Sequence, residues 1–253
     1  WILRYFNATD KTIKVCTTDA YTDNYRERRQ YAQTGYYGSM GNQWIFGDTA
    51  LQRRYLIQTA QEQEANGIMP AYAPLKSDDY MVILDSNLLW IRSLYQYYLF
   101  SGDDFTTRNL LVSAHKLMEL IHSFTDQIGL INNPPYPYWL DHANLDRSGA
   151  NFTLNAHYLG ALEDFCQLLK WLKEEKADVF SKRADQLRNS LREYFWNANE
   201  GIFADALLES SLSSKFSEHT NGMALALKIA NFDQRKSIIK KLLVKDSNLF
   251  IKR

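Results

Sequence analysis

Ten residues, Thr22-Asp23-Asn24-Tyr25-Arg26-Glu27-Arg28-Arg29-Gln30-Tyr31, gather two carboxylates, three arginines and two tyrosines. Cleaving a glycosidic bond takes this mixture. A carboxylic acid protonates the leaving oxygen, polar groups grip hydroxyls, and aromatic faces cover the apolar side of a sugar ring. A solvated, charged surface loop accounts for the same composition, so the segment needs company before it means chemistry. Three further segments supply it. One runs from Ser77 through Asp85 to Trp90; Asp85 precedes an apolar helix, where capping the helix explains it equally well. The next is Tyr136-Pro137-Tyr138-Trp139-Leu140-Asp141-His142. Proline stiffens that turn and pre-positions its rings, either as a sugar platform or as an aromatic plug beneath a loop. The last is Phe216-Ser217-Glu218-His219-Thr220-Asn221. Ser217 suits the N-cap of a helix and Glu218 its positive end, yet the pair Glu218-His219 also offers a carboxylate and an imidazole to a site.

Other chemistries lack their residues. The glycines are not clustered into GxGxxG or GxxxxGK[ST], no HExxH or paired cysteines occur, and no serine sits in GxSxG. No metal or cofactor is therefore expected. Cys16 and Cys166 are the only cysteines and form no disulfide framework. Lys and Arg number 29, as do Asp and Glu, so no basic excess draws the chain to nucleic acid or an anionic membrane, and an uncharged partner such as carbohydrate fits better. Aromatic residues make up 14%, more than a core needs, and surplus amphipathic rings line grooves. No apolar run has membrane-spanning length, and Trp1-Ile2-Leu3-Arg4 does not begin a signal peptide. Both ends read as helical, which points to a piece of a longer protein and leaves its compartment open. Asn7-Ala8-Thr9 and Asn151-Phe152-Thr153 match the glycosylation pattern.

Helices must position these segments. The five prolines mark two loops, near 67–79 and 129–150. Elsewhere apolar residues recur at three and four, over 33–46, 48–65, 86–101, 104–124, 154–172, 183–196, 219–230 and 233–245. Gly47-Asp48, Gly102-Asp103 and Asn231-Phe232-Asp233 read as one helix stopping and the next starting. A strand pattern is confined to a short hairpin strand over 201–208. The expectation is an all-α chain of antiparallel helix hairpins, each about 40–50 residues long, with the long loops gathered at one end. No short-period sequence repeat is visible.

Asp23-Asn24-Tyr25-Arg26-Glu27-Arg28 with Tyr31 resembles the acidic signature of family 78 glycoside hydrolases, the bacterial and fungal α-L-rhamnosidases, roughly Asp-x-Pro-x-Arg-Glu-Arg-x-x-Trp-x-x-Asp. Asp85 to Trp90 with the Tyr-Tyr and Gly-Asp pairs of 97–103 resembles that family's next helix pair. Tyr138-Trp139-Leu140-Asp141 resembles its Gly-Asp-Trp-Leu loop, and Phe216 to Leu225 a further helix start. The resemblance implies an (α/α)6 toroid or barrel, incomplete here, with residues 1–253 as one catalytic-domain fragment and the remaining helices and flanking β domains outside it. It also implies inverting hydrolysis of terminal α-L-rhamnosides. Glu27 matches the general acid, Asp23 the carboxylate holding sugar hydroxyls, Arg26 the arginine beside the acid, and Trp139 an aromatic wall. Tyr31 stands where the family has Trp, Thr34 where it has a second sugar-holding Asp, and the proline after Asp23 is absent. Asp85, Trp90, Asp141, His142, Glu218 and His219 complete the expected sugar contacts. The catalytic base is expected outside this chain, with Glu218 as the alternative. A different helical-barrel glycosidase, or a non-catalytic carbohydrate-binding helical domain, fits the same residues.

An inverting acid has to hold its proton near neutral pH, which takes burial or a neighbouring carboxylate. Asp23 is placed to supply the repulsion. Arg26 and Arg28 oppose it, so at least one of them is expected to point away from Glu27 or to pair elsewhere.

Overall fold

The structure is a computed structural model that describes residues 1–22, 27–75, 79–140, 142–209 and 211–243. The chain divides into two compact units, one of Trp1–Leu120 with Gln167–Glu174, the other of Ile121–Cys166 with 175–253.

The first unit is helical. It holds α1 (Ile2–Cys16), α2 (Ala32–Phe46), α3 (Ala50–Gln61), α4 (Leu84–Ser101) and most of α5 (Asp104–His122). Gly47 and Gly102, both left-handed, end α2 and α4, the role glycine fills most easily. Asp103 starts α5 by accepting the Thr106 N–H at 3.0 Å. The Thr106 and Tyr97 hydroxyls, with that bond, hold the Asp103 carboxyl down at about 2. Glycines let α2 approach its neighbours closely: a Cβ on Gly35 would lie 3.0 Å from the Tyr55 ring, and one on Gly38 3.1 Å from Tyr21. Buried amides knit the hairpins. Gln43 donates to Gln52, which donates to the carbonyl and hydroxyl of Ser93 at 3.0 and 2.9 Å. Two sequence expectations fail here. Trp90 is fully buried and donates its indole N–H to the Leu56 carbonyl at 3.2 Å, so it serves the core and has no face for a sugar. Asp85 is not the cap of α4 but its second residue, and only 1% of it is exposed.

The second unit contains most of α6 (Phe152–Leu172), then α7 (Ala177–Tyr194), α8 (Glu218–Ala226) and α9 (Phe232–Leu243). Helices α6 and α7 run antiparallel. Phe165 meets Phe180 with ring centroids 4.8 Å apart, the Cys166 thiol donates to the Ala177 carbonyl, and Arg188 pairs with Glu163. Helix α7 begins six residues before its expected start, because Ala177 and Phe180 extend the buried stripe through a charged stretch that hid it. Helix α8 ends early, at Ala226; Lys228 is left-handed, and the Ile229 and Ala230 N–H groups turn back onto the Ala224 carbonyl. A capping box starts α9, with Asn231 accepting from Gln234 N–H and its own N–H donating to the Gln234 side chain. The expected hairpin strand over 201–208 is two short strands with different partners. Strand β1 (Ala150–Asn151) pairs with β4 (Ala206–Leu207), and β2 (Trp196–Asn197) pairs with β3 (Ile202–Phe203), both antiparallel.

One device recurs three times. The fourth residue of α4, α6 and α8 is an asparagine: Asn87, Asn155 and Asn221. Each side-chain amide accepts the N–H and donates to the carbonyl of a single buried residue earlier in the chain, Met69, Ile131 and Phe203 respectively, at 2.8 to 3.0 Å. Each also donates to the carbonyl four residues before it. A buried backbone without partners is costly, so the amide clamps the long connection onto the helix that follows. The repeat is one of geometry; the flanking residues differ each time.

Candidate active site

Residues 30–32 lie alongside 71–73. The Ala32 N–H donates to the Ala71 carbonyl at 3.1 Å and the Ala73 N–H to the Gln30 carbonyl at 3.3 Å. This pairing keeps the strip from Glu27 to Tyr31 near the start of α2, with Tyr31 and Tyr72 ring to ring at 5.6 Å.

Arg29 is the hub of the strip. Its backbone N–H donates to Glu27 Oε1 at 3.0 Å and its guanidinium to Oε2 at 3.3 Å. The same guanidinium donates to the Tyr31 hydroxyl at 3.2 Å, pairs with Asp79, and lies 5.2 Å from the centre of the Tyr72 ring. Tyr72 in turn donates to the Asp79 carbonyl at 2.5 Å. The bond to Tyr31, followed by the charges of Asp79 and Glu27, raises the Arg29 pKa further. Neither Arg29 nor Asp79 had an assigned role in the sequence. Residues two apart in an extended strip share a face, which was the available signal for Arg29; nothing local pointed to Asp79. Arg28 is exposed and, with Arg29, lines a cleft of this unit. Asp23 and Arg26 fall outside the described residues.

Trp139 and His142 form an edge-to-face pair with centroids 4.4 Å apart, and 40% of Trp139 is exposed. Arg147 braces that loop by donating to the Trp139 carbonyl at 2.9 Å, while Tyr138 donates to the Arg147 carbonyl at 3.0 Å. Asp141 lies outside the described residues. Glu218 and His219 are the first two residues of α8, Glu218 being exposed. Ser217 caps that helix as expected, accepting the Thr220 N–H at 3.1 Å.

A group that sequence reasoning missed sits beneath them. Asp205 Oδ1 accepts from the Ser217 N–H (2.9 Å), the Ser217 hydroxyl (2.6 Å) and the Thr220 hydroxyl (2.7 Å). Its other oxygen is buried without a hydrogen-bond partner. Burial pushes the Asp205 carboxyl up, against the pull of those donors, and the charge of Asp146 adds to the rise.

Among the described residues of the first unit, two clefts stand out. One, of about 740 Å³, is lined by Arg28, Arg29, Arg54, Gln30, Gln58 and Tyr72 among others. The other, of about 360 Å³, has a mainly apolar surface and is lined by Ile13, Cys16, Tyr21, Thr34 and Tyr37 among others. In the second unit a polar cleft of about 530 Å³ lies between 123–133 and Glu209. Among the described residues no group of three or more His, Cys, Asp or Glu is placed to hold a metal ion, and no helix is long and apolar enough to cross a membrane.

No curated protein matches the chain. Solved structures do. A family 78 rhamnosidase of Bacillus sp. GL1 superposes with a TM-score of 0.87 at 20% identity, over 97% of this chain and 26% of that one. A rhamnosidase from Klebsiella oxytoca with rhamnose bound gives 0.84 at 19% identity, over 97% and 48%. An α-L-rhamnosidase of Streptomyces avermitilis complexed with L-rhamnose gives 0.62 at 15%, over 93% and 22%. The chain thus spans between about a fifth and a half of the proteins whose fold it shares. The bacterial alpha-L-rhamnosidase 6 hairpin glycosidase domain matches residues 3–249, and the chain belongs to that family.

Proposed function

We propose that this chain is the helical catalytic part of an inverting glycoside hydrolase that releases terminal α-L-rhamnose, with Glu27 as its general acid. The family match across nearly the whole chain carries the reading. The fold similarity to proteins solved with rhamnose supports the choice of sugar. Asp23, Arg26, Tyr31, Trp139, Asp141, His142, Glu218 and His219 are the proposed sugar contacts. Asp85 and Trp90 are left to the core.

In an inverting reaction the acid protonates the glycosidic oxygen while a second carboxylate, about 6.5–9.5 Å away, activates water on the opposite face. Both Glu27 oxygens accept from Arg29 in the unliganded strip. To act as the acid, Glu27 takes up a proton from solvent on Oε2, which releases the Arg29 guanidinium from that oxygen, and then passes this proton to the leaving oxygen. Asp79 and Tyr31 keep Arg29 in place during that exchange. The base is assigned to a carboxylate outside these 253 residues, with Glu218 as the alternative. Glu27→Gln should lower turnover of an alkyl rhamnoside at least ~100-fold, and that of an aryl rhamnoside with a good leaving group much less. An unchanged rate on the alkyl substrate would remove Glu27 from the mechanism.

A second reading keeps the hydrolysis and changes the sugar. Thr34 stands where the family signature has aspartate, and it lines the cleft of about 360 Å³. A threonine grips hydroxyls less strongly than a carboxylate does. A panel of aryl glycosides separates the two readings by which sugar is released fastest.

A further inference from the structure

Asp205 lies between β3 and β4 and is wholly buried. Its backbone N–H donates to the Lys215 carbonyl at 2.9 Å, and its carbonyl accepts the Phe152 N–H, at the start of α6, at 2.8 Å. Its side chain takes the start of α8, through the Ser217 N–H and the Ser217 and Thr220 hydroxyls. The segment it meets at Lys215 reaches in turn to the chain just after His142. Lys215 Nζ donates to the Asn144 side chain at 3.1 Å, and the Ser213 hydroxyl donates to Asp146 Oδ2 at 2.7 Å. Asp205 thus stands where the supports of two sets of proposed sugar contacts meet, Trp139 with His142 and Glu218 with His219.

Its carboxyl cannot touch a ligand, because none of the residue is exposed and Oδ2 is closed off without a hydrogen-bond partner. Burying such a group is costly, so its effect has to come through what Oδ1 holds. Capping alone does not require it, since Ser217 already accepts the Thr220 N–H. What the carboxyl adds is rotation. Ser217 and Thr220 are three residues apart and share one side of the helix, and donors from both converge on a single oxygen. With that side fastened inward, Glu218 and His219 are turned off it, Glu218 exposed and His219 half-buried.

We infer that Asp205 is a positioning residue for sugar recognition, which fixes the first turn of α8 in the rotation that presents Glu218 and His219 to the sugar. The inference rests on the sugar-cleaving reading for the role of those two side chains.

The test reads placement and binding separately. Histidine ring signals in NMR spectra report placement, and calorimetric titration with free L-rhamnose reports binding, both well below the melting temperature. Asp205→Ala should shift the His219 signals, leave those of His115 on α5 in place, and weaken L-rhamnose at least about tenfold, since it releases all the donors of the turn together. Asp205→Asn keeps an acceptor at Oδ1 and should restore the native signals, with an affinity within about twofold of native. A role in stability alone would lower the melting temperature of Asp205→Ala without moving His219 or the affinity, and that result overturns the inference. An Asp205→Asn protein that behaves like Asp205→Ala overturns it too. Should Asp205→Ala fail to fold, Thr220→Val removes one donor and should move the same signals and weaken L-rhamnose about two- to threefold; unchanged signals and affinity overturn the inference. Glu218→Gln and His219→Ala separate it from the reading beneath it. If both bind L-rhamnose like the native protein, the sugar role of α8 falls and the inference with it. If they weaken binding and Asp205→Ala does not, the inference alone falls.

Discussion

At the scale of single residues, the carboxylates of this chain separate by what surrounds them. Glu27 is half-buried and shares Arg29 with Asp79, and in the proposed reaction it exchanges that partner for a substrate oxygen. Asp205 is the opposite case, with one oxygen fully engaged and the other buried without a partner. Burial raises its pKa above the ordinary 3.8, so the folded state holds the proton more firmly than the unfolded chain does. The stability this group contributes is present below about pH 4 and is lost as pH rises through its raised value. Asp205→Asn mimics the neutral form and escapes that loss. The melting temperature of the variant relative to the native protein should therefore climb between about pH 4 and pH 7, and a difference that stays flat across that range would show that Asp205 folds in its charged form. Glu27 was readable as a candidate acid from its neighbours in sequence. Asp205 was not, because an Ala-Asp-Ala stretch looks like any turn until Ser217 and Thr220 close over it.

At the scale of elements, periodicity located the helices well. What it did not reveal is the clamp that fastens each long connection. An asparagine in the first turn of a helix reads as an ordinary, mildly unfavourable residue; only the folded chain shows Asn87, Asn155 and Asn221 each holding both backbone groups of a buried partner. Replacing Asn155 with Leu leaves the Ile131 N–H and carbonyl without that partner in a site closed to water. Denaturant unfolding should register a loss of at least about 2 kcal/mol, and a loss within a few tenths of a kcal/mol would mean that the loop finds other partners. The clamp on Ile131 precedes the loop that carries Trp139 and His142, so the same device that stabilises the unit also orders proposed sugar contacts.

At the scale of the whole molecule, equal numbers of acidic and basic residues leave little long-range field to gather polyanions. The protein should pass through a heparin column at about 0.15 M salt, where a Debye length of about 8 Å confines any surviving attraction to direct contacts; retention there would reveal a cationic face that composition conceals. By itself the sequence determined the helical hairpins, the neutral charge and the motif that leads to the family, because each depends on residues within a turn or two of one another or on simple counting. Tertiary structure alone decided which groups meet. Asp79 reaches Arg29 across fifty residues, Trp90 turns its indole into the core against Leu56, and Asp205 comes to lie under α8. Those pairings depend on how the long connections fold back over the helices, and a local pattern of apolar and polar residues carries no record of that path.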